Sequence, residues 1–307
     1  MVKINSKAQQ KFNQHKALEY IALCGWTKTI HIGICVWPTA TRQTQQRMAQ
    51  YTLRQLKEDG KVLWETAEDQ SVVYALSERG ARTLRQQTDA KVRSGKDAIN
   101  YRKNFAHRIL INEVAARLLG RGQLAWPEHA VRGWKSPIKC FNWQIALGLT
   151  DRRKRQLKYP DLIVKLSDDE PQEGDGSDGV QTVNVAWVEV EQGPKGGTDY
   201  AYMVCAMLSM VAPLTARGIP QGDMVRIETS HVHVCIAEVW LVCPSETHKI
   251  KFANRIARLA AQTPWKFSWQ YAMDRVSVLT PSLEFESLGE LLKRKGLLVT
   301  GQPVGLD

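Results

Sequence analysis

The stretch WVEVEQGPKGG, Trp187 to Gly197, holds the residues best suited to chemistry. Trp187, Val188 and Val190 are strand formers, and a glycine-rich turn closes the run. Side chains two apart on a strand share a face, so Glu189 and Glu191 are expected to point the same way. Two carboxylates on one face of an apolar strand repel each other and resist desolvation, so something must offset them. One answer is a divalent cation. Cleavage or transfer of a phosphodiester needs charge stabilisation on the phosphate and an activated water or hydroxyl, and one or two Mg²⁺ or Mn²⁺ ions held by carboxylates supply both. The other answer is an edge strand facing solvent, with the acids paired to Lys165 or to arginines.

Two further patterns could do chemistry. The run DRRKRQLK gathers Arg152, Arg153, Lys154, Arg155 and Lys158 immediately before Pro160 and Asp161. Such cations could meet a DNA backbone, or they could form a solvated loop. The histidines of HVH, His231 and His233, would face one way on a strand. That resembles the metal-holding pair of HUH nucleases, with Tyr200 and Tyr202 as nucleophile candidates on the preceding helix. A third histidine close by is missing, since His248 belongs to another element; a half-buried pair on an amphipathic strand, and core tyrosines, are the simpler readings. No Ser-His-Asp order, P-loop or dinucleotide fingerprint occurs.

The whole chain frames these residues. It has 307 residues, 43% of them hydrophobic, ten tryptophans and a formal net charge of +11. That charge favours a polyanionic partner, with nucleic acid first. No apolar run reaches the length of a membrane span, and the polar N-terminus lacks a secretory h-region, so a cytoplasmic protein without membrane association is expected. The six cysteines are scattered without a CxxC pair, which argues for reduced core thiols. SDDEPQEGDGSDG, Ser167 to Gly179, reads as a flexible acidic insert.

The elements that must position the site fall into two groups. Residues 1–90 read as a helix over Lys11 to Cys24, burying Phe12, Leu18, Ile21 and Ala22, then a longer helix over Thr41 to Gly60. Thr41 is the expected N-cap and Gly60 the stop. Met48, Tyr51, Leu53 and Leu56 should face inward, and Arg42, Arg47 and Arg54 outward. Strands in KVLWE and SVVYAL flank an acidic turn, and a helix begins at Ser77. Helices, a basic helix and a two-stranded wing make a winged helix-turn-helix, whose basic helix would enter the DNA major groove. Residues 91–104 are polar and basic and read as a linker. Residues 105–307 alternate: a helix over Phe105 to Gly120; strands in IKCFNWQIAL, YPDLIVKL and VNVAWVEVEQ; a helix over Thr198 to Val211; a strand in HVHVCIAEVWLVC; a helix over Glu246 to Gln262; a strand in RVSVLT; and a last helix in ESLGELLKRKG. This α/β (α+β) alternation argues for a mixed sheet flanked by helices.

YPDLIVKL followed by WVEVEQGPKGG resembles the restriction-endonuclease-like fold with its PD-(D/E)XK motif. The resemblance implies Asp161 as the motif aspartate and Glu189 as the first acid of the second half-motif. Glu191 stands where the lysine normally sits, which is a departure. Lys195, in the glycine-rich turn, would then return an amine to the site for transition-state support. Glu113 falls where some members carry an additional acid on the first helix. Over most of its length the chain resembles the replication-relaxation proteins of plasmids and integrative elements, through HRILINEVAARL, the Pro-Asp strand and VEVEQGPKGGTDYAYM. The implied work is binding of double-stranded DNA and metal-dependent cleavage or nicking at a mobile-element site. Metal ligands would be Glu113, Asp161, Glu189 and Glu191, and other mobilisation, transposition or replication proteins are expected partners. A DNA-binding regulator with a degenerate nuclease domain is the competing class.

Overall fold

The structure is a computed structural model that describes residues 6–87, 92, 94–95, 104–133, 136–142, 157–166, 181–191, 224–226, 232–262 and 275–295. The chain is mixed α/β. Its first elements are α1 (Ser6–Cys24), β1 (Trp26–Lys28), α2 (Thr29–Val36), α3 (Arg42–Glu58), β2 (Val62–Thr66), β3 (Val72–Leu76) and α4 (Glu78–Gln87). Then come α5 (Phe105–Gly120), β4 (Ala125–Pro127), α6 (Glu128–Arg132), β5 (Ile138–Asn142), β6 (Leu157–Lys158), β7 (Leu162–Lys165) and β8 (Gln181–Val190). The last are β9 (Met224–Arg226), β10 (Val232–Val242), α7 (Glu246–Gln262), β11 (Val276–Leu279), β12 (Phe285–Ser287) and α8 (Leu288–Arg294). The strands form three sheets, ordered β1-β3-β2, β12-β11-β10-β8-β7-β4 and β6-β5-β9.

Local chemistry explains the N-terminal elements. Thr41 Oγ1 accepts the Thr44 amide and caps α3, and Gly60 stops it with a φ of +65°. Ser77 Oγ likewise accepts the Gly80 amide at the start of α4. The α2 segment, TIHIGICV, alternates like a strand in sequence, yet it is a helix buried on nearly all sides. A Cβ at Gly33 would stand 2.7 Å from the Gln45 carbonyl oxygen, so α2 and α3 approach at a point that admits only glycine. Two expected core residues lie outside it: Phe12 is 52% exposed beneath the Lys16 ammonium, and Tyr51 is 53% exposed. In α3 the inward positions go to Gln45, Ala49, Thr52, Leu53 and Leu56.

The chain divides into two compact units, Met1–Lys139 with Tyr159–Val183 and Arg226–Val234, and Cys140–Lys158 with Asn184–Val225 and Cys235–Asp307. The first unit therefore runs past the boundary expected at 91–104. Within that stretch Val92 is buried, and the Gly95 amide donates to the Leu76 carbonyl. The helix α5 packs directly on the N-terminal elements. Trp26 stacks on Phe105 with ring centroids 5.4 Å apart, and Arg108 donates to the Cys24 carbonyl at 2.9 Å. The Asn112 amide donates to the Trp26 carbonyl at 2.8 Å, while the Asn112 carbonyl accepts the Tyr20 hydroxyl. Strand β4 then pairs antiparallel with β7, Trp126 opposite Ile163.

In the second unit β10 and β11 are parallel, Trp240 opposite Ser277, and β11 and β12 are antiparallel. The expected helix over Glu246 to Gln262 forms as α7. It is tied to β12 and α8 by charges. The Lys249 ammonium, only 5% exposed, lies 3.0 Å from Glu286 and 3.4 Å from Glu246. Arg294 holds Glu286 through two nitrogens at 2.6 and 2.8 Å and reaches Glu246 at 2.8 Å. The helix expected at 198–211 and the acidic insert at 167–179 lie outside the described residues.

Asn112→Ala is expected to destabilise the first unit by about 1–3 kcal/mol, because it leaves the buried Trp26 carbonyl without this donor; thermal or urea unfolding reads it. Arg294 and then Lys249 depress the Glu286 pKa in the folded state. Its stabilisation is therefore complete above the unfolded carboxyl value, about 4.3, and is lost as pH falls through the folded one. Glu286→Gln should lower stability at pH 7 and flatten the loss between neutral and acid pH, as measured by chemical unfolding across that range.

Candidate functional site

Glu189 and Glu191 sit at the end of β8, and both are buried, at 2% and 8% exposure. Burial of both side chains excludes the solvent-facing placement. The local answer to Glu189 is in the sequence itself: the Trp187 indole N–H, two residues back on the same face, donates to Glu189 Oε1 at 2.7 Å. An N–H donor stabilises the ionised carboxylate where water cannot reach it. The same device recurs on β10, where the Trp240 indole donates to Glu238 at 2.6 Å. The Glu191 amide donates to the Val242 carbonyl, aligning the end of β8 with that of β10. Burial pushes the neighbouring Cys243 thiol up to about 12, with the Glu191 carboxylate adding to the effect and the Lys249 ammonium opposing it. Glu191 and Lys249 thus act on the same small region of the interior.

Asp161 belongs to the first unit. It lies just before β7, where its carbonyl accepts the Glu128 amide at 2.8 Å. Its carboxylate Oδ1 lies 3.0 Å from His107 Nε2 on α5, with the two side chains 13% and 25% exposed. Sequence reasoning passed over His107. The two residues are 54 positions apart, and a lone histidine on a helix carries no spacing signal. Close by, the Arg132 guanidinium covers the Tyr159 ring at 4.3 Å and pairs with Glu128 at 2.7 Å. Glu113 is half-buried on α5 and has the partner its place demands. That partner is Arg117, one turn on, at 2.8 Å.

Lys195, Arg152, Arg153, Lys154, Arg155, Tyr200, Tyr202 and His231 lie outside the described residues. Lys158 and His233 fall in β6 and β10. His248, at the start of α7, lies 2.8 Å from the Ser245 hydroxyl. Among the described residues no group of three or more His, Cys, Asp or Glu is gathered as a metal site. His107 and Asp161 make a contact of two such groups, with no third gathered beside them among the described residues.

A second candidate surface lies on α3. Arg42, Arg47 and Arg54 are exposed, as expected. At 3.6 residues per turn, Gln43, Arg47, Gln50, Tyr51 and Arg54 share one face, and all five are exposed. Amide and guanidinium groups there can form two-pronged hydrogen bonds to base edges and single ones to phosphates. The adjoining β2-β3 hairpin is less basic at its tip, where Glu68 and Asp69 are exposed. Lys28 and Ser71 hold the Asp69 carboxyl down at about 2. At its base Trp64, 50% exposed, lies 3.9 Å beneath the Lys57 ammonium.

No family model matches the chain, and no curated protein or solved structure compared with it is significantly similar. Trp187→Phe keeps the ring's bulk but removes the donor from buried Glu189. It is expected to cost about 1–3 kcal/mol of stability at pH 7; urea unfolding beside the wild type checks this.

Proposed function

We propose that the chain binds double-stranded DNA through the exposed face of α3 and cleaves or nicks it with a divalent metal, Mg²⁺ or Mn²⁺, at a mobile-element site. The observation that carries the reading is the α3 face, with Gln43, Arg47, Gln50, Tyr51 and Arg54 all exposed. The order helix, strand, helix, helix, strand, strand, with the sheet ordered β1-β3-β2, supports a winged helix-turn-helix with α3 as the groove-entering element. The acidic hairpin tip makes α3 rather than the hairpin the main contact. Cleavage is assigned to the restriction-endonuclease-like motif, with Asp161, Glu189 and Glu191 as the carboxylates, Glu113 as an additional acid and Lys195 as the cation. The metal, when bound, would polarise the phosphate and activate the attacking water. Arg152 to Arg155 and Lys158 would add sequence-independent attraction to the backbone.

A second reading has its own support. Glu113 is engaged by Arg117, Asp161 by His107 and Glu189 by Trp187. Carboxylates already held by protein groups suit a DNA-binding regulator or accessory factor whose nuclease-like part no longer cuts.

Binding and cleavage separate the two. Arg47→Ala with Arg54→Ala is expected to weaken binding of a labelled duplex at least about tenfold and to reduce the salt slope by about two, measured by fluorescence anisotropy. Supercoiled plasmid carrying the native origin region should become open-circular or linear with Mn²⁺ or Mg²⁺. It should stay supercoiled with chelator or with Asp161→Ala. Binding that is unchanged by chelator, with no cleavage, would establish the accessory factor instead.

A further inference from the structure

We infer that α3 reads base sequence: Gln43 and Gln50 each select adenine, and Arg47 and Arg54 each select guanine. The inference rests on the DNA-binding reading and names the DNA that the same face takes. The spacing of these four residues in α3 places them within about 60° of one another around the helix. At a rise of about 1.5 Å per residue the stripe is roughly 16 Å long, so it reaches at most about five base-pair steps of roughly 3.4 Å. The element implied is a short run in which A·T and G·C pairs alternate along the major groove.

The side chains of this stripe are uncommitted. Among the described residues no hydrogen bond or ion pair holds Gln43, Arg47, Gln50 or Arg54. By contrast, Gln45 of the same helix donates to the Trp37 carbonyl at 3.0 Å, and Gln55 accepts from Gln14 at 3.2 Å. Arginines of other helices are paired with acids one or two turns away, Arg85 with Glu78, Arg117 with Glu113 and Arg132 with Glu128. α3 carries no acid before Glu58, which ends it. What the stripe offers outward is therefore amide, guanidinium, amide, guanidinium. An amide pairs a donor with an acceptor, which matches adenine N7 and N6; a guanidinium presents two donors, which match guanine O6 and N7. Lys57, next along, sits over the Trp64 ring at 3.9 Å, so the reading set ends at Arg54. The glutamines are neutral and release no counterions, so removing one separates base reading from charge attraction.

The test is selection of bound duplexes by the full chain from a library with a randomised central segment, followed by fluorescence anisotropy on the enriched duplex. Enriched sequences should carry the alternation of A·T and G·C pairs. Gln50→Ala should remove the preference at one A·T pair and weaken binding of the enriched duplex about 5–150-fold, the worth of one bidentate contact, with the salt slope unmoved. Arg47→Lys keeps the charge, and with it the slope, but loses the fork, so it should remove the preference at one G·C pair. Both changes fall at exposed helical positions and should leave the melting temperature where it was. Wild type that retains duplex without enriching any sequence, that enriches a run lacking the alternation, or whose preference survives both substitutions overturns the inference and leaves the DNA-binding reading in place. Failure of that reading looks different and overturns both: no duplex of any sequence is retained, even at low salt.

Discussion

Asn112 is the point on which the N-terminal unit turns. It is buried in the middle of α5, with its side-chain amide on the Trp26 carbonyl and its own carbonyl on the Tyr20 hydroxyl. Buried backbone carbonyls must find donors, and β1 is only three residues long. Its Trp26 carbonyl finds that donor on α5. The helix is thereby held against α1 and β1, with Phe105 stacked on Trp26 and Arg108 on the end of α1. Because the same helix carries His107 and Glu113, the order of the N-terminal core extends to the candidate chemistry. Three residues of β4, paired with β7, complete the frame around Asp161.

Burial of acids is the second organising constraint. Three carboxylates named for metal binding each meet a protein group of fitting type: Glu189 an indole N–H, Glu113 a guanidinium and Asp161 an imidazole. These partners differ in what they permit. An indole or guanidinium only donates hydrogen bonds, whereas an imidazole can either donate to a carboxylate or share a cation with it.

Much of the secondary structure was legible from local pattern. Thr41 and Gly60 bound α3, Phe105 to Gly120 is one helix, and the strands of the motif segments fall where the alternation of residue types puts them. Other elements carry no clear local signal. TIHIGICV has no polar face of helical period, yet it forms α2, because α1, α3 and α5 surround it and remove any need for one. β4 and β12 are three residues long, too short for a periodic signal, and exist because neighbouring strands offer hydrogen bonds.

What the sequence determined by itself was charge, helix limits and the shared face of residues two or four apart. The outward arginines of α3 and the Trp187–Glu189 contact follow from those periods. What only the tertiary structure decided was which distant groups meet. His107 and Asp161, Asn112 and Trp26, Lys249 and Glu286 are each separated by dozens of residues. Their pairing is imposed by the packing of helices on strands and by the need of buried polar groups for partners, neither of which leaves a trace in local spacing.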